Sequence, residues 1–545
     1  MPDDPKRNFA GGPEPKFFTI DKFMGINTQA KRQGVKDQQF SWLENMQPIG
    51  ENNLQSMFDK GPSIYTASAG RTIIYFKFFN VGSTQYAFVC LDNGTGVSVN
   101  VTTAMSTVIT STPGTFYPGA MSLGSPLPAA SQWAQSGIVI IGPNYFAWDG
   151  TTFYQPGGSS PTWLNGGTPT TMPTGITGTC LTTYASKVWY GDGAIFASSA
   201  PDNGADFTAN DGATTTPSSD AFLRVQFTHL DQVNGFLYLF ADSSINVISN
   251  VQSSGSPVIT TFNNQNVDPQ VGTPWHNCVE PYGNGLIFAN STGVYALKGG
   301  TAEKISDDLD GIFEAAQQTL TTDSSIAQPS SATMVINNIK CYMLLVPVQG
   351  PLDTSPRNAL VMWDGKKWFI GSQTSSLTFI GTQEINSIIQ AWGTNGTNIF
   401  PLFSTASTSL TKLWQTKLWS GEGFQITKQA MRLYTMADDN STQGFSFTGT
   451  IDAILENEGQ YSESFTATSN TFLVTWVNNS SQAIQWRNST PANVYWTSTG
   501  ASLIGTGINI NSRGNYMGLT VHSTSPNFTL ITQSLLYQEQ SPLGA

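Results

Sequence analysis

The stretch VMWDGKKWFIGS at residues 361–372 repeats, in outline, FAWDGTTFYQPG at residues 146–157. In both, an aromatic precedes Asp-Gly, two polar residues follow, and a pair of aromatics comes next. Asp-Gly between apolar runs specifies a tight hairpin, because Gly tolerates positive φ and Asp bonds its own backbone within the turn. Asp149 and Asp364 lie 215 residues apart, so one repeated architecture leaves room for several further units between them. A looser third copy, GVYALKGGTAEKI at residues 293–305, places Gly299-Gly300 at the turn.

Around these hairpins, from about residue 62 to 420, the chain reads as short strands bounded by Gly, Asn, Asp or Ser. They include RTIIYFKFF, TQYAFVCL, SGIVIIG, FLYLFA, LIFAN, YMLLVPV and ALVMW. Strands at this density without intervening helices mean stacked antiparallel sheets. The expected fold is mainly β: a β-propeller with an N-terminal arm and short helix, and additional antiparallel, sandwich-like β regions as platform or tip. Two unrelated β domains that each use an Asp-Gly turn fit the same repeat pair equally well. The WD40 pattern of Gly-His and Trp-Asp pairs is absent, and a sialidase-type Asp box needs Ser or Thr where Met362 and Ala147 stand.

Three segments follow: an arm and helix over 1–61, the propeller region over 62–420, and a C-terminal antiparallel β domain over 421–545. The first helix is expected within KDQQFSWLENMQP, capped by Asp37, with Phe40, Leu43 and Met46 on one face and Pro48 as its stop. A second helix is expected after Ser306, with Asp307 and Asp308 in its first turn and Leu309, Ile312, Phe313 and Ala316 at helical spacing.

Charged residues make up only 11% of the 545, and Asp149 is the single charge between Asp92 and Lys187, so hydroxyls, amides and backbone must face solvent there. Aromatics such as Phe116, Trp133 and Trp148 argue against disorder in that stretch. The net charge of −12 disfavours tight phosphate binding, which draws on Lys and Arg; Lys31-Arg32 with Lys36 is the largest basic cluster. Cys90, Cys180, Cys278 and Cys341 have no metal or redox spacing and read as packed thiols. The N-terminal sequence lacks a signal-peptide core, and no apolar run approaches a membrane span, which gives a soluble protein made in a cytoplasm. Asn-X-Ser/Thr matches at Asn93 and Asn290 follow from composition.

No catalytic, cofactor-binding or metal site is assigned, and no cofactor is expected. His229, His276 and His522 have no metal-spaced partner, and GxSxG, P-loop and HExxH motifs are absent. Carboxylate pairs suited to glycoside hydrolysis can be named, Asp231 with Asp242 and Glu456 with Glu458. With 36 acids in the chain such pairs are also expected by chance. A sialidase pocket needs clustered arginines, and the propeller region holds Arg71, Arg224 and Arg357 only. Trp363 and Trp368, flanking a turn, read as a cross-strand pair rather than a sugar platform.

The opening MGINTQAKRQGVKDQQFSWLENMQPIGENNLQSM resembles the start of tail nozzle proteins of short-tailed bacteriophages, also known as tail tubular protein B or packaged-DNA stabilisation proteins. HLDQVNGFLYLFADSSINVIS, VEPYGNGLIFANSTGVYALKGGTAEKIS and NALVMWDGKKWFIGS resemble successive propeller blades of that family, in the same order across residues 20 to about 420. The resemblance implies a non-enzymatic virion protein of the phage tail, assembled in the host cytoplasm. It implies a homohexameric ring below the portal and adaptor, adjoining fibres or spikes. That ring retains the packaged DNA and passes it during ejection with only transient, non-specific contact in the lumen. An acidic chain poor in Lys and Arg suits a conduit that does not hold its cargo. The chief alternative is a tail-associated carbohydrate-binding or glycosidase-type propeller that recognises a host receptor, and a third reading is a protein-interaction propeller from a cell.

Overall fold

A computed structural model describes residues 14–109, 127–154, 164, 176–217, 226–323, 326–385, 388–439, 445–455, 459–468, 486–487, 493–494 and 504–540. The chain divides into two compact units. One holds residues 60–368 and 372–404; the other holds residues 1–59, 369–371 and 405–545.

The first unit is a β-propeller. Its first blade runs Ile73–Val81, Thr84–Leu91, Gly96–Asn100 and Ser106–Ile109, each strand antiparallel to the one before. The second, third, fourth and fifth blades begin at Ala129–Trp133, Cys180–Tyr184, Phe227–Val233 and Val279–Tyr282, and each adds three consecutive strands in the same meander. Ser330–Ile336, Ile339–Val348 and Arg357–Trp363 begin the sixth. The seventh takes Phe379–Ile385, Ile388–Thr394 and Asn398–Pro401 and borrows Tyr65–Thr66, from ahead of the first blade, as its outer strand. Six of these sheets are separate and four-stranded. The leading strands touch in sequence, and the seventh packs against the first, which closes the ring. Aromatic side chains fill the seams between blades: Phe88 meets Phe146 at 6.2 Å, Trp189 meets Phe262 at 5.6 Å, and Phe240 meets Phe288 at 5.3 Å. Burying each such ring is worth roughly 1.5–3 kcal/mol.

The repeated hairpins occupy equivalent places, joining the third and fourth strands of blades two, five and six. In blade two, Asp149 Oδ1 accepts from the backbone N–H groups of Thr151 at 2.8 Å and Thr152 at 2.6 Å. In blade six, Asp364 Oδ1 accepts from Lys366 at 2.8 Å and Lys367 at 2.7 Å. The glycine after each aspartate takes a left-handed φ, +93° at Gly150 and +98° at Gly365, which a side chain would strain. Trp363 and Trp368 form the expected aromatic pair, 6.0 Å apart.

In the second unit, Phe528–Glu539 pairs with Lys428–Asp439, Asn53–Ser56 and Lys16–Ile20, so the first and last of the described strands share one sheet. A second sheet contains Phe40–Glu44, Lys412–Thr416, Tyr516–Ser523, Ser446–Leu455 and Gly459–Thr468 in that order. Trp414 of this sheet packs tilted against Phe528 of the other at 6.4 Å and donates from Nε1 to Gln533 Oε1 at 3.1 Å, which fastens the two sheets face to face.

The helix expected over residues 37–47 is instead two strands, Phe40–Glu44 and Met46–Ile49. Phe40, Trp42, Leu43 and Met46 are all buried, so no polar helix face exists, and ladder pairing to Lys412–Thr416 wins over local propensity. Asn45 turns the chain between them with φ of +57° and donates from Nδ2 to Thr411 O at 2.7 Å. Pro48 sits in a strand at the end of the sheet's order, where its missing N–H costs no ladder bond. After Ser306 the chain makes a 3-10 turn, Asp307–Leu309, and the α-helix begins at Ile312 and runs to Thr322. Ser306 does not cap it; its hydroxyl accepts from the Val294 N–H at 2.9 Å and ties down the blade.

Candidate functional site

Propeller geometry turns one edge of each blade toward a shared axis, so the leading strands decide what the centre contains. All seven contribute to one cavity of about 470 Å³. The strand Ile73–Val81 is almost wholly buried, and Lys77, an exposed residue among its first seven, lines that cavity. A register shift between Phe227 and His229 in the leading strand of blade four accompanies the placing of His229 and Asp231 on the axial side. Blade five supplies Glu280 and blade seven Thr382.

Asp231 Oδ1 accepts from the Gln232 N–H at 2.7 Å, and Glu280 Oε2 accepts from Thr382 Oγ1 at 3.0 Å. Burial pushes Asp231 up to about 6 and Glu280 up to about 7, although both keep some contact with the cavity space. Lys77 counteracts both shifts, and the charge of Asp231 adds to that of Glu280. His229 donates from Nδ1 to His276 O at 2.7 Å; burial lowers it to about 4, so it is neutral. Lys77 forms no ion pair with either acid within 4.0 Å, so positive and negative walls face each other across open space.

Of the acids singled out from sequence, Asp231 is on the axis, but Asp242 is not; it influences His276 instead. The axial partner of Asp231 is Glu280. Glu456, Glu458 and Arg224 lie outside the described residues. His276 stands beside His229 at a smaller adjoining cavity, while His522 shares a 2.7 Å hydrogen bond with Thr448 in the other unit. Arg357 pairs with Asp353 at 2.9 Å, away from the axis. The four cysteines are buried free thiols, and burial raises Cys90 and Cys180 to about 12. Lys77 and Glu280 escaped sequence reasoning because they lie 203 residues apart with no local motif. The available signal was a charge inside an otherwise apolar strand, as in IIYFKFF and CVEPY.

The cavity can accept and donate hydrogen bonds and exchange a proton near neutrality. Its volume suits a small molecule and is far short of a DNA duplex, whose major groove alone is about 12 Å wide. Among the described residues no cluster of three metal-ligating side chains occurs, and no helix is long and apolar enough to cross a membrane.

No protein-family model matches the sequence, and no match is found among curated proteins. Among solved structures, the chain is similar to BBS1N from its complex with ARL6DN, at 8% identity and a TM-score of 0.36, covering 63% of this chain and 98% of that one. It is also similar to the N-terminal domain of Nup159, at 8% identity and a TM-score of 0.30, covering 66% and 98%. The propeller assignment therefore stands on the sheet order and ring closure described above.

Proposed function

We propose that this chain is a structural subunit of a virion, the tail nozzle of a short-tailed phage, assembled as a ring of six below the portal and adaptor. The observation that supports it best is the nesting of the chain. The propeller is one excursion, residues 60–404 apart from 369–371, out of a β unit built from strands that precede and follow it in sequence. In that unit Lys16–Ile20 is laid along Phe528–Glu539, so tension between these two strands loads a backbone ladder. Such anchoring suits a part that must withstand the internal pressure of a packed genome. The order of segments is also that of the sequence resemblance. DNA would pass through the lumen enclosed by six chains, since the propeller axis is too small for it, and an excess of acid would keep it from adhering.

Light scattering on the purified protein, alone and with the adaptor ring of the same virus, tests this reading. A six-fold ring, or one that forms only on the adaptor, is the expected result. A monomer or trimer indifferent to the adaptor overturns it. One observation favours the second reading, a carbohydrate-binding or glycosidase-type propeller for receptor recognition: Asp231 and Glu280 share a cavity. Specific retention of a host glycan, lost on Glu280→Gln, would favour that alternative.

A further inference from the structure

Charge is scarce in the propeller, yet Lys77, Asp231, Glu280 and two of the three histidines of the chain meet at or beside its axis. Strand pairing does not require them there. Polar uncharged residues such as Ser131, Thr183 and Ser331 fill comparable axial positions on other blades. Each acid has one carboxylate oxygen engaged and one open: among the described residues nothing hydrogen-bonds to Asp231 Oδ2 or Glu280 Oε1. The Lys77 ammonium likewise has no hydrogen bond or ion pair there. The three charges sense one another without touching, so the space between them is bounded by an anionic wall from blades four and five and a cationic post from blade one. Burial makes the two acids costly to hold charged, a cost that the ammonium of a ligand would offset, while the exposed Lys77 across the cavity is left to meet an anionic group.

We propose that the axial cavity is a binding site for a small zwitterion of the free amino-acid class, with its ammonium at Asp231 and Glu280 and its anionic group at Lys77. Thr382 already holds the second oxygen of Glu280 and so fixes the carboxylate plane. His229, committed to the His276 carbonyl, closes one side as a neutral wall. A metal ion is a poorer occupant, since only two carboxylates face one ammonium. A simple amine would leave Lys77 unanswered, and a simple carboxylate would leave the acids so.

Isothermal titration of the full-length protein with each of the twenty free amino acids, with ethylamine, acetate and glucose as single-feature probes, tests the assignment. At least one amino acid should bind, with the three probes at least tenfold weaker. Lys77→Met and Asp231→Asn should each weaken that binding tenfold or more while the circular dichroism spectrum stays unchanged. Glu280→Gln serves as the second acid variant should Asp231→Asn disturb the blade. Binding should also weaken as pH falls below about 6, where both acids become protonated while His229 stays neutral down to about 4. Absence of binding by all twenty overturns the proposal. So does ethylamine or glucose binding as well as any amino acid, or affinity unchanged in the variants.

Discussion

In the unit built from the chain ends, Arg32 and Asp452 touch at 2.7 Å; at the propeller axis, Lys77, Asp231 and Glu280 stay apart. The touching pair is also fully provided for. Arg32 Nε donates to Thr416 O at 2.8 Å and Nη2 to Leu519 O at 3.2 Å, while Asp452 Oδ2 accepts from Thr520 at 2.6 Å. The pair and these partners draw on three strands of the β unit, Lys412–Thr416, Ser446–Leu455 and Tyr516–Ser523, so the pair fixes register among them. The axial charges fix nothing comparable, since each acid accepts a single hydrogen bond and Lys77 makes none among the described residues. Similar residue types thus serve two ends: satisfied charge specifies a fold, and charge left open to a cavity is free to meet a ligand.

The largest effect that can break this comparison is at the satisfied pair. Arg32→Met leaves Asp452 buried without its counter-ion, and Asp452→Asn leaves a nearly buried guanidinium. Each should cost about 3–5 kcal/mol of unit stability. Hydrogen exchange of the peptide covering Tyr516–Ser523 in mild urea reads that loss where it arises. The double change Arg32→Met with Asp452→Leu should be much less damaging than the sum, because both desolvation costs vanish together. An additive double variant would mean that the pair is not the organising contact.

Lys187, in blade three, sharpens the contrast. Its Nζ donates to Ser199 O at 3.0 Å, Gly212 O at 2.7 Å and Thr260 Oγ1 at 2.8 Å, with no acid nearby, and burial lowers it to about 8. Its unfolded value is 10.5, so between pH 8 and 10.5 the unfolded chain binds more protons than the folded one. Stability should therefore rise with pH across that window, by about 3 kcal/mol for this lysine. Lys412, also lowered to about 8, adds the same slope in the other unit. In Lys187→Met, exchange-measured stability of the blade-three peptides should lose its rise while that of residues 412–416 keeps it.

How far these features could be read beforehand differs between the two settings. The propeller was legible because an Asp-Gly hairpin is encoded within four residues, and both copies at Asp149 and Asp364 close with the same Asx geometry. The strand over Phe40–Glu44 was not, since its all-round burial depends on Lys412–Thr416, far along the chain. The axial site was half visible: Asp231 was named, but with Asp242 as its partner. No spacing rule links Asp231 to Glu280 and Lys77, which only ring closure brings together. The union of the first and last strands was hidden for the same reason.

A smaller effect separates open charge from charge that is only buried. Glu280 stands at about 7 in the folded protein and 4.5 in its ordinary state, so from pH 4.5 to 7 the folded form binds the extra proton. Stability attributable to it falls as pH rises through that window and is flat above. Glu280→Gln should raise propeller stability at pH 8 by about 1–2 kcal/mol, discounted for the water that reaches the cavity, and change nothing below pH 4.5. His229 works in the opposite sense, since a histidine held at about 4 costs stability as pH falls from 6.5. The measurement is therefore the difference between wild type and variant rather than either curve alone. Equal melting points at pH 8 would mean that solvent already satisfies Glu280.

The smallest expected effect is the control for both. Lys22 and Glu51 approach to 3.6 Å on the surface of the end-built unit, with side chains 55% and 68% exposed. Water competes for both partners there, and ordering two long side chains offsets most of the attraction. Lys22→Ala should shift stability by no more than about 0.5 kcal/mol, and less in high salt. A loss approaching that of Arg32→Met would show that proximity of opposite charges, and not their burial and full hydrogen bonding, sets the contribution of an ion pair in this unit. The contrast between Arg32–Asp452 and the axis would then lose its basis, because separation alone would explain why Lys77 does so little for the fold.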